Sequence, residues 1–141
     1  MTKNCTKESP AGLSSYSKTL PRTPASAAVA RQLVRTALVE WGIDDLNDDA
    51  TLVVTELTSN SIDHGHPGPV RVTVSRPRPG YVRIGVVDRS KAIPSMRPGP
   101  YENETRGRGL VLVDALSERW GIELYRWGKQ VWAELSIEVH R

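Results

Sequence analysis

Hydrophobic residues between positions 25 and 64 recur with the spacing of amphipathic helices. From Ala25 to Trp41 they fall every three or four positions, which is the period of one helix face. Pro24 and Gly42 flank this stretch and are typical of a helix start and a helix end. A second helix is expected from Asp48 to His64, because acidic residues stabilise the N-terminal end of a helix. The pattern therefore predicts two long helices in the first half of the chain.

The pattern changes to a period of two after these helices. Val70–Ser75 alternates valine with polar residues, and Tyr81–Asp88 is a second run of strand-forming residues. A third helix is expected over Leu110–Arg119, followed by two closing strands over Gly121–Trp127 and Gln130–Val139. Clustered helices beside hairpin-connected strands predict an α+β sandwich, with the helices on one face of a mixed, mostly antiparallel sheet.

Two segments lack a regular period. Residues 1–12 are polar, and we expect a disordered tail there, followed by a single domain over residues 13–141. Leu13–Leu20 is expected to form a short edge strand. The stretch from Arg89 to Arg108 is interrupted by prolines, and a loop of that length is usually either functional or disordered.

Composition narrows the class of protein. The 141 residues are 38% hydrophobic and 25% charged, as in one soluble globular domain. No run approaches the roughly 20 apolar residues that span a membrane, and no secretory signal is visible. A single cysteine, Cys5, fits a reducing compartment, so we expect a cytoplasmic protein without membrane contact. The net charge of +3 raises the question of nucleic acid, but the arginines are scattered, which favours a solvated surface and no direct nucleic-acid binding.

The second predicted helix carries the first candidate site. Glu56, Asn60 and His64 are four residues apart and share one helix face. Polar groups beside an apolar face need partners, which are a metal, a ligand or each other. A carboxylate can act as a general base, and an amide oxygen can ligate Mg²⁺. The alternative is a solvated helix face that ends at a glycine.

Two further motifs follow. Asp88 ends a predicted buried strand, where it can accept hydrogen bonds from a ligand's amino group or act as a turn aspartate. The run from Arg106 to Leu110 leads into a helix; its glycines and the helix N-terminus favour an anion, although such pairs are often flexible turns. Leu112 stands where the dinucleotide-binding fingerprint needs its third glycine, and no Gly-Lys-Ser or Gly-Lys-Thr run occurs in the chain, so the dinucleotide-binding and P-loop interpretations both fail.

In this order the three motifs resemble the ATP-binding domains of the GHKL class, which includes gyrase, histidine kinases and mismatch-repair ATPases. Within that class they resemble the bacterial anti-sigma-factor serine/threonine kinases, especially the stand-alone ATP-binding regulators of actinomycetes. The likeness runs from about Leu20 to Leu135 and includes the segments Glu56–Gly65, Gly107–Val113 and Gly128–Trp132. It implies a two-layer α/β sandwich, ATP with Mg²⁺, and two partners: a sigma factor and an anti-sigma-factor antagonist.

The resemblance also implies roles for individual residues. Glu56 would be the general base, Asn60 would bind Mg²⁺, and Asp88 would accept a hydrogen bond from the amino group of adenine. Residues 89–106 would form a lid over ATP. The other ATP-binding positions that it implies are His64, Gly65, Arg106, Gly107, Arg108, Gly109 and Leu110.

Two departures from the family pattern bear on nucleotide affinity more than on the fold. Ser90 stands where a glycine often follows the adenine-binding aspartate, and Gln130 stands where a threonine is common in the closing hairpin. A non-catalytic module that binds a partner in a nucleotide-dependent way is the alternative function. A histidine-kinase ATPase domain is disfavoured, because no helix with a phosphoacceptor histidine precedes the domain in this chain.

The apolar faces have competing uses. Val29, Leu33 and their neighbours on the first predicted helix are expected in the core, with a homodimer interface as the alternative. The four tryptophans are irregularly spaced and are also expected to fill the core.

Overall fold

An antiparallel sheet of six strands forms one layer of the protein. The computed structural model describes residues 5–8, 14–64, 68–90 and 104–137. The strands are β1 (Cys5–Glu8), β2 (Ser14–Leu20), β3 (Val70–Ser75), β4 (Tyr81–Asp88), β5 (Arg119–Tyr125) and β6 (Gly128–Ser136). They lie in the order β1-β2-β3-β4-β6-β5, and every neighbouring pair is antiparallel. The bounds predicted for β3 and β4 are confirmed at both ends.

Three helices form the second layer. They are α1 (Ser26–Glu40), α2 (Asn47–His64), which follows a 3₁₀ turn at Asp44–Leu46, and α3 (Glu104–Leu116). No helix in the described ranges is long and apolar enough to cross a membrane. The predicted α+β class, with helices on one face of a largely antiparallel sheet, is confirmed.

Helix α3 differs most from its prediction. It begins at Glu104, six residues before the expected Leu110, and ends at Leu116. Gly107 and Gly109 consequently lie within its first two turns and not in a loop before the helix. Among the residues of α3 whose burial is described, the buried hydrophobic side chains are Leu110 and Val113, which are three positions apart on one helix face.

The ends of the sheet also differ from the sequence prediction. Cys5–Glu8 forms a strand paired with β2, so the expectation of a disordered tail over residues 1–12 is wrong for these four residues. Strand β2 lies between β1 and β3 and is therefore not an edge strand. The closing strands each begin two residues earlier than expected, and Arg126 and Trp127 form the turn between them.

The core lies between the two layers. Alternate residues of β3, β4 and β6 point toward the helices and are buried, and α1 contributes Leu33, Val34 and Leu38. Val29 is 37% exposed, because the buried face of α1 is centred on Ala30 and Val34 instead. The core prediction for Val29 is therefore wrong.

The outer face of the sheet carries two of the tryptophans that were expected in the core. The Arg83 guanidinium lies 4.0 Å from the centroid of the Trp132 ring, and Trp127, which is 56% exposed, stacks on Tyr125 at 4.9 Å. Trp41 and Trp120 do pack against the core. The helices cover only one face of the sheet, so aromatic residues on the other face pack against arginine and tyrosine side chains.

Candidate active site

Helices α2 and α3 bring two of the predicted motifs together. Glu56 and Asn60 lie one turn apart on α2, and α3 approaches them at Gly109. A Cβ built at Gly109 would lie 3.0 Å from Oε1 of Glu56 and 3.8 Å from Oδ1 of Asn60. Glycine favours this close approach, because a Cβ contact of 3.0 Å is tighter than nine in ten real ones and would make the Glu56 carboxylate shift by a few tenths of an ångström. The polar face predicted for α2 thus meets the glycine motif of α3.

The Glu56 carboxylate sits in a partly buried position beside this contact. Burial raises the pKa of Glu56 above its ordinary value of 4.5, because loss of water disfavours the charged form. A raised pKa makes a carboxylate a stronger proton acceptor once it is ionised. Its environment therefore suits a general base.

Asn60 supplies an amide oxygen next to that carboxylate. Among the described residues no group of three or more histidine, cysteine, aspartate or glutamate side chains converges as a metal site. Mg²⁺ is commonly held by one or two protein oxygens together with phosphates and water, so a single amide oxygen in a half-buried position fits it. Asn60 and Glu56 fit the requirements of a cation that is brought in with a nucleotide.

The remaining residues of the α3 motif differ in which groups they could offer to a ligand. Arg108 and Gly109 are the fifth and sixth residues of α3, where N–H groups bond within the helix; the free N–H groups belong to the first turn. Leu110 is fully buried in the core, so its side chain packs and does not line a site. Phosphate binding by Arg106 and Gly107 stays a prediction; for both residues the structure describes only the helical backbone.

Several predicted positions lie beyond what the structure describes. Helix α2 ends at His64, whose side chain is not described, and Gly65 lies outside the described residues. The same is true of residues 91–103, which hold most of the predicted lid. The roles predicted for them stay predictions.

Asp88 ends β4 as predicted, but its carboxylate is already bonded within the protein. It is 4% exposed, and Ser61 on α2 donates its hydroxyl hydrogen to Oδ2. The backbone N–H of Ser90 donates to Oδ1 at 2.9 Å. Nζ of Lys129 lies 3.0 Å from Oδ1 and 3.3 Å from Oδ2. A buried ion pair therefore stands where sequence reasoning expected a free acceptor.

Lys129, and not Gln130, faces Asp88 across the sheet. The pairing of β4 with β6 sets Lys129 opposite Asp88 on the helix-covered face and Gln130 opposite Val87 on the outer face. The Gln130 side chain lies over Gly85, where Nε2 would be 2.6 Å from a built Cβ. Gln130 therefore does not face Asp88, because adjacent residues in a strand point to opposite faces. The effect of this departure from threonine on nucleotide affinity stays a prediction.

Sequence reasoning missed Lys129 and Ser61, although both carry a signal. Lys129 falls in the same alternation as the buried Val131, Ala133 and Leu135, so strand periodicity predicts a buried lysine in need of a partner. Ser61 follows Leu57 by four residues on the buried face of α2. A predicted β6 that begins at Gly128 would include Lys129 and place it on the buried face.

The fold and the site together define a class of protein. A six-stranded antiparallel sheet is covered by helices on one face, and one helix carries a carboxylate and an amide beside a glycine of another helix. This combination of sandwich, polar helix face and strand-end aspartate is that of a GHKL-type ATPase domain.

Comparison with known families agrees. The family described as "Histidine kinase-like ATPase domain" matches residues 20–135, which include the whole candidate site. The chain belongs to this family of ATP-binding domains. It is also similar to an uncharacterized protein of Streptomyces coelicolor, with 42% identity over 74 residues, which are 50% of this chain and 69% of that protein.

Proposed function

We propose that this protein is a cytoplasmic Mg²⁺- and ATP-dependent serine/threonine kinase of the anti-sigma-factor type. It would transfer the γ-phosphoryl group of ATP to a serine or threonine of an anti-sigma-factor antagonist, and it would bind a sigma factor as its second partner. Membership of the ATPase domain family and the closer sequence likeness noted above support the proposal. The observation that carries it is the meeting of Glu56, Asn60 and Gly109.

The proposed step needs a base, charge neutralisation and positioning. Glu56 takes the proton of the partner's hydroxyl as that oxygen bonds to the γ-phosphorus. The bond between the γ-phosphorus and its bridging oxygen breaks, and ADP leaves with the electron pair. Asn60 would hold Mg²⁺ in part, and the ion would supply charge neutralisation at the phosphates. Because Glu56 and Asn60 share one rigid helix, their separation is fixed before the substrates bind.

A second function, a non-catalytic module that binds a partner in a nucleotide-dependent way, is favoured by one observation. The Asp88 carboxylate already accepts hydrogen bonds from Ser61, Ser90 and Lys129, so it does not offer adenine a free acceptor. A weaker hold on the nucleotide suits a protein that sequesters its partner more than one that turns over ATP.

Label transfer separates the two functions. Purified protein is incubated with γ-labelled ATP, Mg²⁺ and an antagonist captured with it from its native cells. A kinase labels the antagonist, and Glu56→Gln reduces the rate by about 10²- to 10⁴-fold, the usual contribution of a general base. Glu40→Gln changes an exposed carboxylate at the end of α1 and serves as the matched control. Complex formation without label in the antagonist contradicts the kinase and supports the binding module.

A further inference from the structure

The acceptor capacity of the Asp88 carboxylate is fully used. An ionised carboxylate has about four acceptor positions. The described contacts are four: the Ser61 hydroxyl, the Ser90 N–H, and Nζ of Lys129 on each oxygen. A further donor, such as the 6-amino group of adenine, can bond to Asp88 only by displacing one of these three groups.

Of these three groups, the Lys129 ammonium is the one whose displacement by an incoming base would cost the most free energy. Lys129 is 4% exposed, and its Nζ also donates to the carbonyl oxygen of Ser90 at 3.2 Å. If the ammonium lost Asp88 it would be a buried cation without its counter-charge, which proteins tolerate poorly. Displacing the neutral donors Ser61 or Ser90 would leave the ion pair in place but would orphan a buried hydroxyl or amide.

Strand geometry holds this pair in place. The β4–β6 register sets Lys129 directly opposite Asp88, and Gly128 brings the two backbones so close that a Cβ there would overlap the carbonyl oxygen of Asp88. The backbone of the closing hairpin is therefore in direct contact with β4 beside the ion pair. The Lys129 ammonium is a built part of the site and not a surface charge that happens to lie nearby.

We propose that Lys129 determines nucleotide specificity by withdrawing Asp88 from base recognition, so that the triphosphate and not the base selects the ligand. This inference rests on the proposed nucleotide site. Because Asp88 is already fully bonded, the 6-amino group of adenine forms no hydrogen bond with it. A purine without that group therefore loses nothing at Asp88. A purine with a 6-oxo group is not repelled either, because the Asp88 carboxylate is paired with Lys129.

Wild-type protein tests this directly with three Mg²⁺-nucleotides that differ at purine position 6. ATP has an amino group there, GTP has an oxygen, and purine riboside triphosphate has hydrogen. We expect the affinities of the three nucleotides, measured by calorimetry, to agree within about tenfold. A difference of that size is smaller than one hydrogen bond to a charged group would give. Affinity for ATP that exceeds both of the others by more than about tenfold overturns the inference, because Asp88 would then be reading the amine.

A pair of neighbouring substitutions assigns the effect to Lys129. Lys129→Thr removes the ammonium and leaves Asp88 with free acceptor positions, so ATP should gain at least about tenfold over GTP. Gln130→Thr makes the same replacement one residue further on, on the opposite face, and should leave the ratio unchanged. A folded Lys129→Thr protein that still fails to discriminate overturns the role of Lys129. If Lys129→Thr does not fold, the wild-type comparison with purine riboside triphosphate decides alone.

Failure of the proposed function gives a different result. If neither the wild type nor Lys129→Thr binds any of the three nucleotides, the nucleotide site itself is wrong, and the inference falls with it. If all three bind but the wild type prefers ATP, the site stands and only the inference is overturned. If only Lys129→Thr binds, and binds ATP selectively, Lys129 is supported as the residue that withdraws Asp88.

Discussion

The chemistry of the site rests on how single side chains are solvated. Glu56 has a raised pKa because it is partly buried, and loss of water disfavours the charged form of a carboxylate. A raised carboxylate pKa means that the folded state binds the proton more tightly than the unfolded chain does. The ionised form at neutral pH therefore weakens folding, which is common for catalytic groups.

Two measurements on Glu56 follow from this at the residue scale. The rate of phosphoryl transfer should fall as pH drops through the raised pKa of Glu56, at a higher pH than an ordinary glutamate with a pKa of 4.5 would give. Glu56→Gln should lose transfer yet melt at the same or a higher temperature at neutral pH, because the substitution removes a partly desolvated charge. A melting temperature that drops sharply would indicate that Glu56 has a structural role instead.

Glu134 shows the opposite behaviour on the outer face of the sheet. Burial acts to raise its pKa, but hydrogen bonds from Arg119 at 2.9 Å and Arg83 at 3.0 Å outweigh burial and hold the pKa below its ordinary value of 4.5. The carboxylate is 2% exposed, and the guanidinium of Arg83 also lies over Trp132. This cluster joins β4, β5 and β6 on the side without helices.

Removing that charge should destabilise the protein in a pH-dependent way. Glu134→Gln should lower the free energy of unfolding by about 1–3 kcal/mol at pH 7, because two charge-assisted hydrogen bonds are weakened. A lowered pKa gives stability that is complete above the unfolded value of 4.5 and lost as pH falls through the folded value. Denaturation curves of wild type and variant should therefore differ at neutral pH and converge at acidic pH. Glu123→Gln, at an exposed position of β5, is the control, and an equal loss there would remove the special role of Glu134.

At the scale of elements, the site depends on the approach of α3 to α2. Gly109 allows Glu56 and Asn60 to lie against the backbone of α3. The contact between the two helices therefore also sets the position of the proposed base. An alanine would favour the helix itself by up to about 1 kcal/mol while its Cβ crowded the carboxylate.

Gly109→Ala should therefore separate activity from stability. We expect a folded protein whose melting temperature is unchanged or higher and whose transfer rate is reduced, because Oε1 of Glu56 must move from a position 3.0 Å from the new Cβ. Val111→Ala tests helix propensity alone, because Val111 is exposed on the same helix. Full activity in Gly109→Ala would show that the base tolerates displacement.

The elements that sequence predicted well are those whose local pattern agrees with their packing. Val70–Ser75 alternates cleanly and its burial alternates with it, and Tyr81–Asp88 is a run of strand-forming residues whose burial alternates except at Gly85. The start of α3 was missed because Gly107 and Gly109 have poor helix propensity, and packing against α2 overrides that preference. The Asp88–Lys129 pair was missed because it joins residues 41 positions apart, whose meeting depends on strand register.

At the scale of the whole molecule, the two faces of the sheet have separate tasks. The helix-covered face holds the core and all described parts of the candidate site, whereas the outer face is stabilised by the arginines around Trp132 and Glu134. Three of the cations are paired with carboxylates: Lys129 with Asp88, and Arg83 and Arg119 with Glu134.

In the function that we propose, α2 holds a nucleotide through Mg²⁺ at Asn60. Calorimetric titration of ATP, with and without Mg²⁺, into wild type and Asn60→Ala tests it most directly, with Leu52→Ala, exposed on the same helix, as the control. We predict Mg²⁺-dependent binding to the wild type and to Leu52→Ala, and a loss of at least about tenfold in Asn60→Ala at an unchanged melting temperature. Unchanged ATP affinity in Asn60→Ala would contradict the site.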